Sequence, residues 1–328
     1  MTTLVTGAAG FLGGLVVRKL AAAGEPVRGF DLQSPEKIPE GVEFLQGSVL
    51  DPDAVAAACD GARHVVHAAA IAALWSPGRF DYDRVNVLGT CRVLAAARRV
   101  GAKTVFVSSF TTLISKQTSP GSFLDESAEH APTDLLGPYP RSKRQAELAA
   151  LGASAAGQEV SIVMPAAPVG AGDVNLTPPA RMLRDLATGK VPALLDCTLN
   201  LVDADAVADA IIAARQSGQT GQRYLLSGED LPMRAVAEIV AGHTGHPAPA
   251  RTVPLVIAMT AARVEALISR LTKRPPTAPL TGVRLAAHPV TLDSRRAQAD
   301  LGFVPRPVSD AISEALVWMS AEGHLLQP

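Results

Sequence analysis

The residues best equipped for chemistry are a tyrosine and a lysine four positions apart, in Tyr139-Pro140-Arg141-Ser142-Lys143. Proline suits the first position of a helix, so this pentapeptide reads as a helix start with Tyr139 and Lys143 on one face. A phenol titrates near a pKa of about 10, too high for a general base at neutral pH, and a neighbouring ammonium stabilises the phenolate. Bringing it to about 7 takes roughly 4 kcal/mol of differential stabilisation. With three tyrosines and seven lysines in the chain, a random Tyr-x-x-x-Lys is expected only about 0.06 times. Such a pair can pass a proton to or from an alcohol or carbonyl oxygen; an exposed helix pair is the plain alternative.

Upstream, Val105-Phe106-Val107-Ser108-Ser109 ends an apolar run in two hydroxyls. Ligands of parallel α/β sheets bind at the carboxyl ends of strands, so Ser109 can align a substrate oxygen for Tyr139. Ordinary loop capping is the competing reading. At the other end of the chain, Thr6-Gly7-Ala8-Ala9-Gly10-Phe11-Leu12-Gly13 follows an apolar run and opens a helical one. Gly7, Gly10 and Gly13 would tighten the turn, let backbone approach a pyrophosphate and pack helix on strand, and the amides of Phe11 and Leu12 face the phosphates. Asp31, 18 residues beyond Gly13, ends the next apolar run. A carboxylate there accepts from both ribose hydroxyls of NAD and repels the 2′-phosphate of NADP. Arg28 nearby keeps NADP open.

Those residues need a scaffold, and the pattern supplies one. Thr3–Thr6, Val27–Asp31, Val42–Gln46, His64–Ala68 and Thr104–Ser108 read as buried strands. Phe11–Ala23, Pro52–Ala58, Asn86–Val100 and Pro140–Leu151 carry Ala and Leu at helical spacing. The alternation predicts a doubly wound, parallel α/β sheet with helices on both faces. A further strand is expected at Val160–Met164, and Leu199–Ala214 and Tyr224–Leu226 are expected to return to the same sheet. This assigns 1–165 and about 196–227 to a dinucleotide-binding domain. About 166–195 and 228–328 form a smaller, helix-rich substrate cap.

With Thr6–Gly13, Asp31, Ser109, Tyr139 and Lys143 in this order, the chain resembles the extended short-chain dehydrogenase/reductase family over nearly its whole length. His67-Ala68-Ala69-Ala70, Asn86-Val87-Leu88-Gly89-Thr90 and Pro165 extend the resemblance. It implies that Tyr139 is the acid/base, that Lys143 lowers its pKa and binds the nicotinamide ribose, and that Ser109 positions substrate. It also implies an NAD site lined by Ser48 and Val49 at the adenine end and by Ala68, Ala69, Ala70, Pro165 and Val169 through backbone. Asn86 takes a structural or relay role beside the cofactor. Homodimers through the helices after Asn86 and after Tyr139 are implied too.

Within the family, Ala73–Pro77, Met164–Asp173 and Asn200-Leu201-Val202-Asp203 look like the hopanoid-associated sugar epimerase branch. That branch is close to dihydroflavonol-4-reductase-like and 3β-hydroxysteroid dehydrogenase-like enzymes. The chain departs at Ser48, where members usually carry Asp. It departs again at Leu199-Asn200-Leu201 and Met164, where nucleotide-sugar enzymes hold a diphosphate. Two apolar replacements where phosphate charge needs partners count against a UDP-sugar.

The sequence therefore points to an NAD-dependent oxidoreductase interconverting a secondary alcohol and a ketone on an apolar substrate. A sugar epimerase or dehydratase is the runner-up, and a non-catalytic NAD-binding regulator the third reading. Net charge of −1, from 30 basic against 31 acidic residues, gives no whole-chain case for nucleic acid. Cys59, Cys91 and Cys197 make neither a disulfide framework nor a zinc pair, and no leader or 18-residue apolar span is read. The expectation is a cytoplasmic protein without metal. His64 and His67, three apart on a strand, face opposite sides and cannot share a metal. Residues 263–306 carry eight basic against three acidic side chains, read as a solvated face in preference to an anionic-membrane contact.

Overall fold

In the computed structural model, which describes residues 2–78 and 81–325, each predicted strand–helix alternation forms. The first half runs β1 (Thr2–Thr6), α1 (Phe11–Ala22), β2 (Val27–Asp31), β3 (Val42–Gln46), α2 (Pro52–Cys59), β4 (Ala62–His67), α3 (Gly89–Arg99) and β5 (Lys103–Val107). It continues through β6 (Ser122–Leu124), α4 (Pro138–Ala155), β7 (Val160–Pro165), β8 (Ala167–Val169), α5 (Pro178–Ala187), β9 (Leu194–Leu195), β10 (Thr198–Asp203), α6 (Ala204–Ser217) and β11 (Arg223–Leu226). The C-terminal part holds β12 (Glu229–Pro232), α7 (Met233–Thr244), β13 (Thr252–Val253), α8 (Leu255–Thr272), α9 (Leu280–Ala286), β14 (Val290–Leu292), α10 (Arg295–Leu301) and α11 (Val308–Ala321).

Seven strands make one parallel sheet in the order β11-β7-β5-β4-β1-β2-β3. The sheet reverses direction of growth between β1 and β4, and the loops leaving those two strands part there to open a crevice. Apolar residues on both faces explain the order: Leu4, Val5, Val65, Val66, Val105 and Ile162 are all fully buried, because helices cover each side. Local signals fix the helix starts. Pro52 follows an Asp51 whose carboxylate accepts from the amides of Asp53 and Ala54, and Asp203 caps α6 in the same way.

Two placements differ from the sequence reading. Helix α6 and strand β11 join the main body, but β10 does not join the main sheet. It pairs in parallel with β8 and antiparallel with β12, because β11 already occupies the free edge of β7. Its Leu201 then faces a second core with Val169, Leu183, Val236, Ile312 and Leu316. Conversely, residues 290–303 leave the expected cap. Strand β14 pairs with β6, and Val290, Leu292, Ala297, Leu301 and Phe303 pack into the main core.

Behind the sheet's carboxyl end lies a buried ionic cluster on α4. Glu147, with no exposed surface, accepts from Arg144 Nη1 at 2.6 Å and Ser108 Oγ at 2.6 Å. Arg223 Nε from the edge strand approaches the same carboxylate at 3.3 Å. Two buried guanidinium groups thus share one buried carboxylate, with the exposed Glu129 as a second, more distant partner of both. Glu147→Ala leaves both short of a partner and is expected to cost about 3–5 kcal/mol; urea unfolding measures it, and a loss below about 1 kcal/mol would show that the arginines find water instead.

Candidate active site

The glycine loop between β1 and α1 is built for close approach. Gly7 sits at φ +75°, and a Cβ there would stand 2.6 Å from Ala69 N. At Gly13 a Cβ would stand 2.7 Å from Gly7 C, so the helix packs directly on the turn. Gly10 is the N-cap and supplies no side chain to cap the helix, which leaves the first-turn amides of Phe11, Leu12 and Gly13 oriented for an anion. Phe11 is buried, and Leu12 packs partly against the main core. A dinucleotide pyrophosphate fits this cradle.

Asp31 closes the far side. Its Oδ2 accepts from Ala9 N at 3.0 Å, which holds the carboxylate against the loop. Arg28 is spent elsewhere. Its Nε pairs with Glu43 at 2.7 Å and its Nη1 donates to the carbonyls of Ala58 and Asp60, so it is not the 2′-phosphate partner that its place in the sequence suggested. Ser48 Oγ accepts from Leu50 N at 3.1 Å and shapes the turn after β3. The Val49 side chain is in the core packed on Gly89, leaving only backbone for a ligand. Ala68, Ala69 and Ala70 are half-buried along the loop after β4. Pro165 ends β7, fully covered, and the Val169 side chain belongs to the second core.

A directed chain of hydrogen bonds ties the two loops together. Ala69 N donates to Thr6 Oγ1 at 3.3 Å, and Thr6 Oγ1 is 2.7 Å from His67 Nδ1. His67 Nε2 is 2.9 Å from Thr90 Oγ1, which donates to Asn86 O at 2.6 Å. Thr90 has one proton and has given it away, so Nε2 must donate and Nδ1 must accept from Thr6. Burial, with Lys143 adding to it, pushes the His67 pKa down to about 3. The ring stays neutral, as that chain requires.

Asn86 lies on a π-helical turn, residues 83–88, that precedes α3 where a continuous helix from Asn86 was expected. The wide turn aims its amide inward. Oδ1 accepts from Ile71 N at 2.8 Å, while Nδ2 donates to Ile71 O and, at 2.9 Å, to Ser142 Oγ. Ser142 in turn donates to Tyr139 O. Asn86 is buried, and all its side-chain groups are engaged by protein, so it positions the start of α4.

Tyr139 and Lys143 do share the inner face of α4. The Ser109 hydroxyl is near enough to the Tyr139 phenol to favour its ionised form and lies 2.9 Å from Thr111 Oγ1. Ser108 turns the other way, to Glu147, as alternation beyond a strand requires. The Tyr82 ring packs 6.5 Å from the Tyr139 ring, with its hydroxyl on Ala73 O at 2.9 Å. Lys143 is buried, donates to Val107 O at 2.6 Å and lies 4.7 Å over the Phe106 ring.

The Tyr139 phenol is raised above its ordinary value, because burial outweighs the Ser109 hydrogen bond. Lys143 itself is pushed down to about 8 by burial, with Glu147 opposing. Sequence reasoning missed Thr111, Tyr82, Glu147 and Arg144 as supports of the site, and it met His67 and Thr90 only as members of motifs, without this role. No group of three metal-ligating side chains occurs among the described residues, and no helix among them is long and apolar enough to cross a membrane.

Comparisons with known proteins agree with this geometry. The model of the family described as NAD dependent epimerase/dehydratase matches residues 3–227. A Synechocystis sp. protein provisionally named dihydroflavonol 4-reductase is 32% identical over 329 residues, spanning 98% of this chain and 95% of the relative. The 2-alkyl-3-oxoalkanoate reductase of Stenotrophomonas maltophilia is 30% identical over 323 residues, with 93% and 95% covered. The crystal structure of gox2253 superposes with a TM-score of 0.84 at 29% identity, covering 99% of both chains.

A neutral His67 makes stability depend on pH. The folded pKa lies below the unfolded value of about 6.5, so its contribution is present at neutral pH and is lost as pH falls from 6.5 towards 3, at up to roughly 1.4 kcal/mol per pH unit. Comparing wild type with His67→Gln by urea melts at several pH values, the stability difference should shrink steadily on acidification; a constant difference would refute the neutral assignment.

Proposed function

The chain belongs to the NAD-dependent epimerase/dehydratase family, an enzyme of the extended short-chain dehydrogenase/reductase type using NAD, and on that premise we propose that it reduces a ketone to a secondary alcohol on a largely apolar small molecule. The observation that carries this reading is the placement of the half-buried Tyr139 beside Ser109 at the carboxyl end of the sheet, with Lys143 on the same helix face; burial also raises the phenol above its ordinary pKa. A protonated phenol is a donor, which suits a carbonyl oxygen gaining negative charge. In the reverse direction the same oxygen must first lose its proton.

In this reading Ser109 holds the carbonyl oxygen, oriented in turn by Thr111. Tyr139 gives its proton to that oxygen as the carbonyl carbon is reduced. Lys143, anchored by Val107 O and Phe106, keeps positive charge beneath the site and steadies the phenolate that is left. The cofactor, when bound, supplies the two electrons at its nicotinamide ring. Gly7, Gly10 and Gly13 with the amides of Phe11 and Leu12 would hold its pyrophosphate, and Asp31 the adenosine ribose. Ser48, Val49, Ala68–Ala70, Pro165 and Val169 would line it, and Lys143 would reach the nicotinamide ribose.

The substrate class is part of the proposal, and two residues and one relative support it. Met164 is fully buried in the core beside Thr112, and Asn200 is tied to Asp230 and to Val290 O, so neither is placed to hold a diphosphate. An alkyl ketone, the kind of compound in the name of the Stenotrophomonas reductase, needs no such partners. A homodimer across α3 and α4, with Leu88 just before α3 and Leu148 on α4 exposed, belongs to the same proposal.

Two measurements test it. Tyr139→Phe should lower kcat for ketone reduction by about 10²–10⁴ while fluorescence titration shows NADH affinity little changed; retained turnover would remove Tyr139 from the proton path. NADH should bind more tightly than NADPH because of the Asp31 carboxylate, and Asp31→Ser should narrow or reverse that order; equal affinities in the wild type would place the ribose elsewhere.

A further inference from the structure

Helix α8 presents its apolar face to the outside. Its buried positions are Ala262 and Ser269, seven apart and so on one side, and α9 packs against this helix. The opposite side carries Val256, Val264, Leu267 and Leu271 at spacings of eight, three and four, with Ile257 and Ile268 alongside, which align over four turns. These side chains are solvent-exposed, Leu271 to 83% and Val256 to 78%. Soluble surfaces scatter such residues singly; a continuous stripe of six on one helix needs a cover.

The charges around the stripe indicate which. Arg263 and Arg270 run along one shoulder, and Lys273 and Arg274 follow at its end, all exposed. None of them forms an ion pair among the described residues. The one acid on the helix, Glu265, is half-buried and accepts from Ala278 N at 3.2 Å. A second copy pairing through this stripe would bring cationic shoulders together with no free carboxylate to answer them. A lipid surface of phosphate headgroups answers both features, since apolar side chains enter the acyl boundary while Arg and Lys meet the phosphates.

We propose that α8 is an interfacial helix that docks the enzyme on anionic phospholipid bilayers. It lies in the plane of the interface and does not span. The position of α9 gives the docking a direction. Thr281 closes over Gly137, at the N-cap of the Tyr139 helix, and Gly282 meets Leu74 in the loop after β4. The helix stacked on α8 therefore borders the candidate active site, and docking brings that border to the bilayer. Binding requires only α8 and holds whatever the reaction is.

Flotation of the full-length protein with vesicles tests the surface. With phosphatidylglycerol mixed into phosphatidylcholine the protein should float at physiological salt, and with phosphatidylcholine alone it should not. Leu267→Ser with Leu271→Ser, both exposed positions, should lower partition about tenfold or more, while NADH binding and the thermal midpoint stay near wild type. Arg263→Gln with Arg270→Gln should weaken binding on the order of tenfold to the anionic vesicles. Absence of wild-type flotation would overturn the proposal, as would flotation of the leucine double variant equal to wild type. A wild-type dimer that dissociates in the leucine variant would overturn it too, and assign the stripe to a second copy.

Discussion

The site depends on one buried, neutral imidazole. His67 ends β4 at the point where the sheet changes its direction of growth, and it accepts from Thr6 at the end of β1 and donates to Thr90 on α3. Through Thr90 the chain reaches the backbone of Asn86, whose side chain reaches Ser142 and so the first turn of α4. The glycine cradle and Tyr139 are far apart in sequence, yet one set of hydrogen bonds sets the distance between their supports. Because each hydroxyl in the set has a single proton, the direction of every bond follows from the last one. A charged ring would donate from both nitrogens, so Thr6 would have to turn its hydroxyl proton away from Nδ1.

Beneath that chain sits a second layer, in which charge is kept close but not adjacent. Lys143 is held from above by Val107 O and the Phe106 ring, and Glu147, one helical turn on, supports its charge. Glu147 is itself compensated by Arg144 and Arg223, so it acts on Lys143 without forming a direct pair that would draw the ammonium away from the site. Ser108 serves this layer and Ser109 the substrate side. Two consecutive hydroxyls at one strand end thereby belong to two different networks.

What the sequence disclosed and what it hid divide along a physical line. The glycine spacing was legible because steric exclusion at Gly7 and Gly13 leaves no alternative residue. The strands of the first half were legible because burial on both faces demands unbroken apolar runs. The partners of His67 were not, since Thr6 and Thr90 are ordinary residues whose importance comes only from where the fold brings them. Arg28 misled for the same reason: proximity to Asp31 in sequence put it on the same strand, but its side chain reaches towards Glu43 and Asp60. Strand β10 read correctly as a strand, and its sheet was decided by an edge that β11 had already taken.

The C-terminal third shows why composition alone could not assign a surface. Apolar residues in 252–285 and basic ones in 263–306 suggested a substrate cap and a solvated face, two readings that treat the groups separately. In the structure the exposed apolar stripe and two of the basic residues, Arg263 and Arg270, lie on one helix. The small residues Ala262 and Ser269 are the buried positions of that helix, and the larger Val, Ile and Leu side chains lie on its outer side. A helix with this arrangement gains little from its own domain, so its apolar face is retained at a cost in solubility. That cost is offset only where the enzyme works against a surface that accepts both the stripe and its flanking cations.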